Sequence, residues 1–143
     1  MIVLDASAAL DFVLRDEANF DWIEERLRAG GAIAAPHLLD TEVAHVLRKH
    51  VLGGRLDESR AGEALVDLQE LPLDRYAAQP LLPRIWALRH NLSGYDATYV
   101  ALAEALDAPL VTSERRLLQL PLAASNVQIV SRHARRSGSH GLP

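Results

Sequence analysis

From one end of the chain to the other, short apolar runs alternate with stretches whose apolar residues recur at helical spacing. MIVLD, residues 32–35, 73–76, LVT and residues 127–130 read as strands. Between them, residues 8–14, 19–28, 39–52, 80–89, 95–106 and 113–120 read as helices, with a further one ending at Glu70 and capped by Asp57 or Ser59. Ser7 is the expected N-cap of the first, and the pairs Gly30–Gly31 and Gly53–Gly54 stop two others. Strands separated by helices form a mostly parallel sheet covered on both faces, because a parallel connection must cross over the sheet. The class is α/β.

With 143 residues, 49% of them hydrophobic, the chain has the material for one core, so a single domain over residues 1–130 is expected. The remainder, SRHARRSGSHGLP, has no apolar period and reads as a flexible basic tail over 131–143. No run approaches the roughly 18 apolar residues of a membrane span, and MIVLDASAAL lacks a signal-peptide pattern, so a cytoplasmic protein with no membrane partner is expected. Zero cysteines exclude disulfides, thiolate metal sites and a cysteine nucleophile, leaving oxygen or imidazole for any metal. The net charge is −4, but residues 1–130 hold 12 basic against 19 acidic groups, which disfavours long-range attraction to nucleic acid. Bound divalent ions would cancel that field where a phosphate must sit.

Four of the acids stand at the punctuation points of this pattern. Asp5 ends the first apolar run, Glu42 and Asp96 lie near two helix starts, and Glu114 follows LVT. Sites in such sheets form beyond the carboxyl ends of strands, which brings Asp5 and the 112–114 turn together. Carboxylates gathered in one place repel and raise one another's pKa unless they share a proton or hold a cation. Magnesium suits them best, since it prefers carboxylate oxygen and keeps waters and substrate phosphate in its shell; manganese uses nearly the same ligands. A metal so held can activate water for in-line attack on a phosphodiester. The competing reading is capping, because acids at helix starts satisfy free N–H groups. Glu42 fits it least, since Asp40 or Thr41 already serves as a cap.

Four segments carry a resemblance: MIVLDASAAL with Asp5, PHLLDTEVAHVLRK with Glu42, SGYDATYVALAEAL with Asp96, and PLVTSERRL with Thr112 and Glu114. In this order and spacing the sequence resembles PIN-domain toxins of the VapC type, from Met1 to about Val130. The resemblance implies a three-layer α/β/α sandwich, magnesium- or manganese-dependent endoribonuclease activity on tRNA or rRNA, a homodimer, and neutralisation by a VapB-type antitoxin. It assigns the metal to Asp5, Glu42 and Asp96, with Ser7 and Thr112 as supporting hydroxyls. Glu114 departs from the pattern, where family members usually carry Asp; one methylene longer, its carboxylate must fold back or act through water.

Arg115 and Arg116 adjoin this turn and are the leading candidates for RNA phosphate contacts, ahead of Arg48, Lys49, Arg84 and Arg89. His37, His45, His50 and His90 show no metal-ligand spacing and read as surface or helix-end residues; His133 and His140 fall in the tail. Tyr95, Tyr99, Trp22 and Trp86 read as packing or interface residues rather than a base-stacking platform. The helices over 19–28 and up to Glu70 offer apolar faces either to the core or to a partner helix. Two other functions compete: RNA processing without an antitoxin, and a catalytically degenerate binding module. A receiver-like module is disfavoured because the only lysine, Lys49, lies within an early helix.

Overall fold

A computed structural model of the chain describes residues 1–29, 31–119, 125 and 127–132. Five parallel strands make one sheet in the order β3-β2-β1-β4-β5: β1 (Ile2–Leu4), β2 (Ile33–Pro36), β3 (Leu73–Tyr76), β4 (Leu110–Val111) and β5 (Ile129–Val130). Around it lie α1 (Ala6–Val13), α2 (Phe20–Ala29), α3 (Leu38–Leu52), α4 (Glu58–Glu70), α5 (Leu82–Ala87) and α6 (Gly94–Leu106).

Both faces of the sheet are covered, and the strands themselves show it. Successive residues of a strand point to opposite faces, yet Val3, Leu4, Ala34, Ala35, Leu110 and Val111 are all buried. The architecture is the expected three-layer sandwich. Helices α1 to α4 pack on one another, while α5 packs on α6, which lies against β1, β2 and β4. Seven consecutive residues of α6, Ala97–Ala103, are buried, so this helix is a core element rather than an amphipathic cover.

Two local differences from the sequence reading bear on the site. Asp5, not Ser7, caps α1: its side chain accepts from the Ala8 N–H, and the helix starts at Ala6. Both residue types make good caps, and pairing β1 with β4 fixes Asp5 in the extended conformation a cap requires. The stretch 113–120 forms only a short 3-10 turn, Arg116–Gln119, with residue 120 outside the described residues. Residues 80–89 likewise divide into a 3-10 turn, Gln79–Leu81, and α5. Gly54, at φ +71, supplies the left-handed turn after α3 that a side chain would resist.

Neither Asp40 nor Thr41 caps α3. Asp40 instead receives Arg75 of β3 through two bonds, 2.6 and 2.9 Å, tying the edge strand to the helix. Of the expected tail, residues 131 and 132 are described and Ser131 is buried, while the rest, His133 and His140 included, lies outside the described residues. No helix among the described residues is long and apolar enough to cross a membrane.

Candidate active site

The strand order reverses at β1. From there the chain builds outward through β2 and β3, then returns to place β4 and β5 on the other side. The crevice beyond the carboxyl ends of β1 and β4 is therefore the topological switch point, where open α/β sheets bind ligands. Asp5 follows β1 and Thr112 follows β4, held in register by the Leu4–Val111 pair and by the Asp5 N–H, which donates to Val111 O at 3.1 Å.

Asp5 is 4% exposed. Its Oδ1 accepts from the Ala8 N–H at 2.9 Å and from the Ser7 hydroxyl at 2.7 Å. Burial nevertheless pushes its pKa up to about 6, against the opposing pull of bonds from Thr112, Ala8 and Ser7; the Glu114 charge adds to the rise. Ser7 Oγ lies 3.2 Å from Thr112 Oγ1 and accepts from the Ser113 N–H at 3.1 Å. Thr112 Oγ1 in turn accepts from the Glu114 N–H at 3.0 Å. These two hydroxyls stitch the end of β4 to the start of α1.

Glu42 comes from the second turn of α3. Burial raises its pKa, the Tyr99 hydroxyl opposes that rise, and the charges of Asp96 and Glu114 raise it further. The Tyr99 hydroxyl donates to Glu42 Oε1 at 2.7 Å, and its own pKa is driven upward by burial and by that bond, so it remains a donor. Asp96 sits in the first turn of α6, where the Ser93 side chain caps the helix by accepting the Asp96 N–H. Its carboxylate takes a two-pronged contact from Arg116, at 2.6 and 3.0 Å. Glu114, 44% exposed in its side chain, accepts from the same guanidinium at 3.1 Å.

The four acids are thus drawn into one electrostatic neighbourhood from four separate elements. Among the described residues no three acids or histidines close into a metal cage. The donor chemistry still fits a hard cation: every group is an oxygen, the Glu114 charge helps raise the pKa of Asp5 and those of Asp96 and Glu114 that of Glu42, and Arg116 already stands in for a positive ion on two of them. Ser113 Oγ, buried in the same turn, has no partner among the described residues.

Tyr99 and Arg116 are the additions to the predicted set of acids and their hydroxyls. Tyr99 follows Asp96 by three residues, a spacing that puts both on one side of α6, and that spacing was the available signal. Tyr95 departs from its expected packing role: it is 66% exposed and lines a hollow of about 380 Å³ with Leu38, Thr41, Glu42, His45 and Val46. At a helix start, the ring has no neighbouring turn to pack on. Trp86, too, is exposed rather than in the core, with Arg89 over its ring at 4.7 Å. Arg84 is engaged by Glu104 at 2.6 and 2.9 Å, away from the acids. His37, His45 and His90 lie on the surface, and half-buried His50 stands in the last turn of α3, as the surface or helix-end reading expects.

The PIN domain family model matches residues 2–122. The VapC ribonuclease Mb0985 of Mycobacterium bovis is 42% identical over 132 residues, 92% of this chain and all of that protein. Ribonuclease VapC1 of Mycobacterium tuberculosis is 41% identical over 129 residues, covering 90% and 96% of the two chains. Among solved structures, VapBC2 from Rickettsia felis, bound to a DNA fragment from its promoter, shares the fold with a TM-score of 0.63. It is 15% identical and covers 92% of this chain and 98% of its own.

Proposed function

The chain belongs to the PIN-domain family and is a ribonuclease toxin of the VapC class, and we propose that it cleaves RNA with magnesium or manganese held by Asp5, Glu42 and Asp96. When bound, such an ion supplies the charge neutralisation and water activation that phosphodiester hydrolysis needs. The protein's own part is orientation. Ala8, Ser7 and Thr112 fix the Asp5 carboxylate, and the Tyr99 hydroxyl fixes Glu42. Asp96 enters from a capped helix start, and Ser7 and Thr112 hold the floor of the crevice rigid. Glu114, half-exposed and paired with Arg116, assists from the rim, acting through water rather than as a direct ligand.

Arg115 and Arg116 supply positive charge at the phosphate-binding edge of an otherwise acidic surface. The hollow beside Glu42, walled by Leu38, Val46 and the Tyr95 ring, suits an unpaired base flanking the scissile phosphate. Such bases occur in the loops of tRNA and rRNA, the substrate class we assign, and the protein acts in the cytoplasm. A VapB-type antitoxin is the regulatory partner. The groove between α3 and α4, lined by Leu47, Val51, Leu52, Ala61 and Leu65, has the apolar character to take its helix. Exposed Leu82 and Trp86 favour a homodimer, and residues 1–130 form the nuclease domain.

The observation that carries this reading is the meeting of four acids from four elements at the switch point of a parallel sheet. Antitoxin-free protein is to be assayed on RNA with Mg²⁺ or Mn²⁺, comparing wild type with Asp5→Ala and Asp96→Asn. Both variants should be inactive, and equal cleavage by all three would sink the mechanism. Glu114→Ala should slow the reaction and Glu114→Asp sustain it; no effect from either makes Glu114 a structural acid.

A further inference from the structure

Arg116 turns its charge into the acid centre. Nη1 donates to Asp96 Oδ2 at 2.6 Å, and Nη2 reaches both Asp96 Oδ1 at 3.0 Å and Glu114 Oε2 at 3.1 Å. The fork engages both oxygens of Asp96, so lone pairs that a metal ligand would offer are already in use. The grip is shallow on one side only: the Arg116 side chain is 56% exposed, while that of Asp96 is 14% exposed. A guanidinium so placed can leave for solvent without disturbing the core. Arg115, its neighbour in the same turn, is exposed and donates to no acid among the described residues.

Resting on the metal-nuclease reading above, we infer that Arg116 is the resident counter-cation of the acid centre, holding Asp96 and Glu114 in the metal-free protein and competing with the divalent ion for Asp96. Four acids brought together need positive charge, and the guanidinium provides it before any ion arrives. Two cations that want the same oxygens bind in opposition, and the opposition is reciprocal. The competition is modest, because an exposed ion pair restrains its partner weakly. Removing the arginine should tighten metal binding by about two- to fivefold. A purely structural ion pair would leave metal affinity where it was and lower only stability.

The test is a titration of the full chain, free of antitoxin, with Mn²⁺ alone, following the free ion by electron paramagnetic resonance. Arg116→Ala should bind Mn²⁺ about two- to fivefold more tightly than wild type, and Arg116→Lys should fall between, since it keeps the charge but loses the fork. Arg115→Ala removes the same charge from the same turn without touching Asp96, and should move the affinity by less than half as much. If Arg116→Ala binds Mn²⁺ no more tightly than Arg115→Ala, the inference fails. Asp96→Asn separates this from failure of the parent reading. Mn²⁺ binding that survives Asp96→Asn unchanged overturns the metal assignment itself, whereas binding lost in Asp96→Asn with equal Arg116→Ala and Arg115→Ala affinities overturns the Arg116 role alone.

Discussion

Asp5→Asn should make the metal-free protein more stable while removing its nuclease activity. The carboxylate is buried, and its pKa is raised from 3.8 to about 6. A rise of roughly 2 units corresponds to about 3 kcal/mol of penalty for the charged form at neutral pH, an upper bound on what neutralising the group returns. Asparagine caps a helix as well as aspartate and can keep the bonds from Ala8 and Ser7. Its amide replaces one accepting oxygen by a donor beside Thr112, so the expected net gain is about 1–2 kcal/mol, or roughly 3–8 °C in Tm.

The pH dependence follows from the direction of the shift. The folded state holds the Asp5 proton more tightly than the unfolded state, so this group favours folding below pH 3.8, and that contribution is lost as pH rises through about 6. The advantage of Asp5→Asn should therefore be small near pH 4 and full by pH 8. Saturating Mn²⁺ should reverse the ranking, since an ion at 100 times its Kd stabilises wild type by about 2.7 kcal/mol and has lost a ligand in the variant. Urea unfolding in EDTA across pH 4–8, repeated with Mn²⁺, reads all of this. An advantage that is absent at pH 8, or unchanged across the range, would refute the view that Asp5 is a charge the fold tolerates for its ligand.

Tyr99→Phe removes the 2.7 Å bond to Glu42 while keeping the ring; RNA cleavage should fall about 10- to 100-fold, with a stability loss of about 1 kcal/mol by urea midpoint. Glu104→Gln should lose the contribution of its pairing with Arg84, which lowers the Glu104 pKa below 4.5. That contribution is present above the unfolded value and fades as pH falls through the folded one, so the variant should be weaker by about 0.5–1 kcal/mol at pH 7 and draw level with wild type as the pH is taken progressively below 4.5. Leu102→Ala, in the fully buried part of α6, should cost about 3 kcal/mol in chemical denaturation, because a helix packed against three strands cannot shift to fill the cavity left behind.

The fold was legible because a parallel sheet with both faces covered leaves continuous apolar runs, and because helix stops such as Gly53–Gly54 are local signals. The acids were legible for a related reason: strand ends and helix starts can be found from the chain alone. What escaped was decided across distance. Asp5 and Ser7 are equivalent as caps until β4 pairs with β1 and holds Asp5 extended. Tyr99 looked like one more apolar position of its helix, since its hydroxyl partner lies 57 residues away. Arg116 was noticed as a charge near the site, but its grip on Asp96, 20 residues distant, depends on how the turn after β4 folds. Tyr95 was assigned to the core rim because it starts a packed helix, yet its ring is exposed, and the exposure of Trp86 sets aside the core half of its core-or-interface reading; both depend on neighbours no local pattern specifies.

The strand order that sets β4 directly against β1 also governs when the molecule can become harmful. Asp5 leaves the ribosome more than a hundred residues ahead of Thr112, Glu114 and Arg116, which belong to the last strand-and-turn before β5. No partial product contains the crevice, because one wall of it is still unsynthesised until the chain has passed residue 111. Translation that stalls earlier releases an inert fragment. A cell making this protein therefore has at least the time needed to extend the chain from Asp5 past β4 in which to supply the inhibitor, and the protection lies in the order of the strands.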